Sequence, residues 1–138
     1  MTNYKVVIID FRYGIDKSYS ELYDCTAECL NLCGHKTTIK LDLESLTNEE
    51  LNQLNGIFIH PNRREGVKKD LDKIMQIKEK YPHIGIIITT GVSQESKEFH
   101  QFFRDEDGIY VLLKPCGPDQ IIAALDDFYS NVTLQKTS

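Results

Sequence analysis

The sequence predicts an α/β fold: a five-stranded parallel sheet flanked by five helices. Two observations carry this. Short β-branched runs alternate with amphipathic segments from one end of the chain to the other, and five such repeats can be counted. Three of the runs, Val6-Val7-Ile8-Ile9, Ile57-Phe58-Ile59 and Ile86-Ile87-Ile88, are almost wholly apolar, as strands covered by helices on both faces must be.

Taken in order, the first strand is Tyr4 to Asp10. Ser18 with Glu21 fits a capping box at the start of the first helix, which runs to a stop at Gly34. Its apolar stripe is read as Leu22, Cys25, Cys29, Leu32 and Cys33, with the three thiols as core positions, since free cysteine behaves as a small buried hydrophobe. The second strand, Lys36 to Leu41, is polar and alternating, which suits an edge. Thr47 with Glu50 caps the second helix, with Leu46 and Leu51 as a hydrophobic staple. The third strand is Gly56 to His60. The third helix places Val67, Leu71, Ile74 and Met75 on one face and ends before Pro82. The basic cluster Arg63, Arg64, Lys68 and Lys69 near its start is diluted by Asp70 and Asp72 and reads as a solvated face. The fourth strand is Ile84 to Thr90, and the fourth helix begins near Ser93 and presents Phe99, Phe102 and Phe103. The fifth strand is Gly108 to Leu113. The last helix starts at Pro118 and shows Ile121, Ile122, Leu125, Phe128 and Tyr129.

At 138 residues and 41% hydrophobic, the chain fits one domain. Folding at this size buries roughly two-thirds of the unfolded surface, so no disulfide or metal staple is required. Residues 1–131 are assigned to the domain and 132–138 to a polar tail or the start of a linker. The 16 Lys and Arg against 21 Asp and Glu, a net charge of −5, argue against a direct nucleic-acid binder. No apolar run approaches the roughly 20 residues of a membrane span. Met1-Thr2-Asn3 opens no secretory signal, so a cytoplasmic location and reduced thiols are expected.

In an open parallel sheet, ligands and reacting groups gather beyond the carboxyl ends of the strands. The residues there are Asp10, His60, Thr90 and Lys114, the last followed by Pro115. An acid after the first strand, a hydroxyl closing the fourth (Ile86-Ile87-Ile88-Thr89-Thr90-Gly91) and Lys-Pro closing the fifth (Leu112-Leu113-Lys114-Pro115) resemble the receiver domain of bacterial response regulators. The resemblance spans Tyr4 to about Asn131. It implies the strand order 2-1-3-4-5, a cis Lys114–Pro115 peptide and a signalling rather than enzymatic role in a two-component system or phosphorelay. It also implies phosphoryl transfer from a histidine kinase to a strand-three aspartate, assisted by Mg²⁺ on neighbouring carboxylates. Here the chain departs. His60 stands where that aspartate belongs, and Asp10 is the one acid left of three, a residual metal-ligand candidate. An imidazole is a poor Mg²⁺ ligand and forms no acyl phosphate. An atypical receiver is therefore expected: Mg²⁺ binding lost or weak, no other cofactor, and no phosphorylation at the usual site.

Asp10 and Lys114 are read as a structural ion pair, and His60 as hydrogen-bonded to Asp10 or Thr90. The segment Phe11 to Lys17, with Arg12, is expected to lie over the site. The resemblance places a partner face on the fourth helix, fifth strand and fifth helix, with Phe99, Tyr110 and Val111 on it. The family's switch aromatic would fall at Val111, one residue after Tyr110, and strand alternation turns Tyr110 the other way unless a bulge intervenes. The expected partner is a histidine kinase or an output protein, and a homodimer through the same face is compatible. Two alternatives stand beside this: phosphotransfer or small-ligand binding at His60, and a thiol or metal sensor built on Cys25, Cys29 and Cys33. Cys116 is expected to be the more exposed thiol.

Overall fold

The computed structural model describes residues 3–10, 17–60, 67–90, 97, 100–103, 108–113 and 116–137. Five parallel strands, β1 (Lys5–Asp10), β2 (Lys36–Lys40), β3 (Gly56–His60), β4 (Gly85–Thr90) and β5 (Ile109–Leu113), form one sheet in the order β2-β1-β3-β4-β5. The helices are α1 (Lys17–Leu32), α2 (Asn48–Gln53), α3 (Val67–Lys80), α4, represented by residues 97 and 100–102, and α5 (Pro118–Thr137). The polar strand β2 takes the edge beside β1, as its alternation predicts.

Strand alternation divides the core in two. Val7, Ile9, Ile57, Ile59, Ile86 and Ile88 pack with Leu51, Leu71, Ile74 and Phe103 on one face. Val6, Ile8, Phe58 and Ile87 pack with Tyr23, Ala27, Leu30, Ile121 and Leu125 on the other. Each fully buried Ile, Leu or Phe contributes about 1.5–3 kcal/mol, which fixes the register strongly because a one-residue slip would exchange the faces. Gly56 and Gly85 allow α5 to sit close to the sheet: a Cβ at Gly56 would lie 2.8 Å from Leu125 Cδ2, and one at Gly85 3.0 Å from the same atom. Because every strand runs the same way, Asp10, His60, Thr90 and Leu113 end on one edge of the sheet.

The helix signals hold at α2. Thr47 Oγ1 accepts from the Glu50 N–H at 3.1 Å, Glu50 Oε1 accepts from the Thr47 N–H at 3.1 Å, and Leu46 and Leu51 are both buried. The Thr47 hydrogen bond holds the Glu50 carboxyl below its ordinary range. Gly34, at φ +95°, ends α1 with the His35 N–H on the Leu30 carbonyl at 3.0 Å.

Two expectations need correction. The buried face of α1 is Tyr23, Thr26, Ala27 and Leu30, whereas Cys25, Cys29 and Cys33 are exposed, Leu22 is 56% exposed and Leu32 81%. Two stripes of nearly equal spacing overlap on this helix, and the phenol of Tyr23 packing on Phe58 selects the one without the thiols. α1 also begins at Lys17, one residue ahead of the Ser18 expected as its cap. α5 is helical from Pro118 to Thr137, into the polar stretch 132–138. No proline or glycine after Pro118 interrupts it.

Candidate functional site

Asp10 and His60 close adjacent strands and are register partners, the last pair of the β1–β3 ladder. Both are buried, Asp10 at 0% exposure and His60 at 5%, an environment in which polar groups need hydrogen-bond partners. For His60, one such partner is the hydroxyl of Tyr23, 3.0 Å from Nδ1, with the direction of the bond set by the imidazole tautomer. The two rings meet edge-on, centroids 6.0 Å apart at 65°, and the Tyr23 ring also meets Phe58 at 6.1 Å. α1 therefore delivers a phenol across the sheet face to the strand-three histidine. Tyr23 was not among the residues singled out from the sequence. Its only sequence signal is its spacing with Ala27 and Leu30, which marks the helix face but not the imidazole that it meets.

Thr90 pairs with Leu113 and Thr89 with Leu112. Alternation gives Thr89 the same side of the sheet as Phe58 and Ile87, the side of Asp10 and His60, while Thr90 shares the side of Ile86 and Ile88. Both threonines are buried, and neither hydroxyl has a hydrogen-bond partner among the described residues. A buried hydroxyl left without a partner costs on the order of 1–3 kcal/mol. Thr89→Val, which keeps the side-chain shape, is accordingly expected to raise stability by about 1 kcal/mol, read as a shift of the urea midpoint at unchanged slope. A destabilised Thr89→Val would show that this hydroxyl is held by something internal.

Lys114, Pro115, Arg12, Arg63, Arg64 and Phe99 lie outside the described residues, so the expected Asp10–Lys114 pair, the cis peptide and the basic cluster receive no structural account. Tyr110 packs toward α5, its hydroxyl donating to Asp127 Oδ2 at 2.9 Å, while Val111 packs on the opposite face. Pairing runs unbroken from Ile86–Ile109 to Thr90–Leu113, with no bulge to bring Tyr110 round.

Cys116 is half-buried, so the exposed thiols are those of α1 and not this one. Burial pushes the Cys116 thiol up to about 11. At pH near 8 its thiolate fraction is on the order of 10⁻³, and its alkylation rate is expected to climb about tenfold per pH unit toward that value. Peptide mapping after brief maleimide treatment should find Cys25, Cys29 and Cys33 labelled well before Cys116; equal labelling would contradict the burial. Among the described residues, no group of three or more His, Cys, Asp or Glu side chains gathers to hold a metal ion.

No family model matches the chain, and no curated protein matches it in sequence. Solved structures do match. A response regulator receiver domain protein from Clostridium thermocellum superposes with a TM-score of 0.69 at 17% identity, covering 96% of this chain and 98% of that one. A CheY-like receiver domain protein from Methanospirillum hungatei gives 0.68 at 15% identity, over 94% and 99%. NtrX from Brucella abortus gives 0.71 at 17% identity, over 99% of this chain and 29% of that one. With the strand order β2-β1-β3-β4-β5 and helices on both faces, these likenesses show that the chain carries the fold of a response regulator receiver domain.

Proposed function

We propose that the chain is a receiver-like module of bacterial two-component signalling that acts through protein contacts, without phosphorylation at the usual strand-three position. The carrying observation is His60: it ends β3, is register partner to buried Asp10, and is held by the Tyr23 hydroxyl at 3.0 Å. A phosphoryl acceptor of the receiver type needs a carboxylate there, and Mg²⁺ needs several oxygen ligands in near-octahedral array. An imidazole facing a single described carboxylate does not fit that metal, so the reading routes no step through it.

The domain is read as non-enzymatic and cytoplasmic, and no described helix is long and apolar enough to cross a membrane. Its partner is a histidine kinase or an output protein. The face assigned to that partner is α4, β5 and α5, through which two copies of the chain would also associate. Support comes from Phe102 of α4, 48% exposed beside the buried Phe103, with ring centroids 4.9 Å apart. Sequestration of His60 speaks against its use in phosphotransfer. The absence of a ligand cluster among the described residues gives a metal sensor no support.

The test is intact-mass analysis after incubation with Mg²⁺ and acetyl phosphate. The mass is expected to stay unchanged. A stoichiometric phosphoryl adduct on an aspartate would overturn the proposal, and an acid-labile, base-stable adduct lost in His60→Ala would replace it with histidine phosphotransfer.

A further inference from the structure

Between α1 and the N-terminus of α5, on the sheet face that carries His60, lies a cleft of about 520 Å³. Leu22, Cys25 and Cys29 of α1, with Cys116 and Pro118, supply much of its wall; Tyr23, Phe58 and Thr89 also line it. Its volume is in the range of small-molecule sites. Three features define what would fill it. Among the described residues, the lining contains no carboxylate, ammonium, guanidinium or imidazole, so none of them compensates a charged ligand. Its surface is predominantly hydrocarbon and thiol, and the α1 part is the stripe that the core leaves outside. Within it Thr89, 2% exposed, carries a hydroxyl with no partner among the described residues, a polar group kept at a cost in stability.

We propose that this cleft binds a neutral, mainly hydrocarbon small molecule carrying one oxygen that hydrogen-bonds to Thr89. The ligand's apolar body covers Leu22, Cys25 and Cys29, and its inner end meets Thr89 and Tyr23. Because Tyr23 also holds His60, occupancy reaches the strand-end site directly. The proposal stands apart from the signalling role: it holds whether or not the domain is phosphorylated.

The thiols supply the assay. The full chain is titrated with 1-octanol as probe, and maleimide labelling of each cysteine is followed by peptide mapping. Cys25 and Cys29 lie in the lining, whereas exposed Cys33 does not and serves as internal reference. Saturable protection of Cys25 and Cys29 by about fivefold or more, with Cys33 unchanged, is expected. Octanoate should protect far less, because its charge finds no partner among the described lining residues. Thr89→Val should weaken octanol binding by about tenfold, the worth of one hydrogen bond. Leu22→Glu changes a half-exposed residue, leaves the fold intact and should abolish protection. The proposal is overturned by no protection up to the solubility limit of octanol, by equal protection of Cys33, by equal protection from octanoate, or by Thr89→Val and Leu22→Glu both titrating like the parent.

Discussion

Gly108→Ala is expected to destabilise the domain by about 3 kcal/mol or more, the largest effect of any single methyl considered. Gly108 sits at φ +83°, where a side chain is strained by roughly 1–2 kcal/mol before any contact is counted. The added methyl would also overlap Lys78 Nζ and lie 2.7 Å from Phe128 Cε1. Lys78 cannot simply swing aside. Although cationic, it is buried, and its ammonium donates to the carbonyls of Ile84 at 2.6 Å and Pro82 at 3.1 Å and lies 4.4 Å from the Phe128 ring centroid. That arrangement ties the end of α3 to the starts of β4 and β5 and to α5, so displacing it strips charge-assisted hydrogen bonds from a desolvated cation. Gly117→Ala is the control, since a Cβ there meets nothing within 4 Å. Urea unfolding of the two variants should separate them by several kcal/mol; similar midpoints would mean that Lys78 is not locked.

The second large effect is at the site. His60→Asp puts a carboxyl at the end of β3, where the proposed reading places the acceptor acid of receivers of the usual kind, yet here it is expected to destabilise by about 2–4 kcal/mol. It removes the imidazole bonded to Tyr23 and places a second carboxyl beside Asp10, buried and in register. Two adjacent buried carboxyls raise the pKa of at least one, so the folded state favours the protonated form. For a carboxyl with raised folded pKa, the folded state is favoured at low pH, and stability is lost as pH rises from the unfolded value through the folded one. The variant should therefore be closer to the parent near pH 5 than near pH 8. Millimolar Mg²⁺ should recover stability in His60→Asp by supplying charge to the paired acids, and should leave the parent unmoved. Thermal melts at both pH values, with and without Mg²⁺, test this; equal Mg²⁺ stabilisation of the parent would contradict it.

Much of the architecture was legible in the sequence because buried parallel strands announce themselves. Ile57-Phe58-Ile59 and Ile86-Ile87-Ile88 offer no polar face, and the observed strands Gly56–His60 and Gly85–Thr90 match expectation to within one residue. Caps with specific geometry, such as Thr47 with Glu50, were equally readable. The adjacency of Asp10 and His60 followed from strand ends alone. The face of α1 did not. Leu22-Cys25-Cys29 and Tyr23-Thr26-Ala27-Leu30 have almost the same period, and the choice depends on packing against Phe58 and His60, contacts 35 or more positions away in sequence. The same error hid Tyr23 as the partner of His60 and hid the thiol-lined cleft. Hydroxyls posed a different difficulty. A spacing of 30 residues from His60 pointed to Thr90, while alternation puts Thr89 on His60's side of the sheet.

The central proposal is that a receiver fold here carries, in place of an acidic phosphorylation centre, a buried histidine held by tyrosine. Its most direct test is the amide NMR spectrum of the chain titrated with Mg²⁺ and beryllofluoride, which mimics the phosphorylated aspartate. The account predicts no saturable change at Asp10, His60, Thr89 or Thr90. A saturable set of shifts clustered on those residues would contradict it.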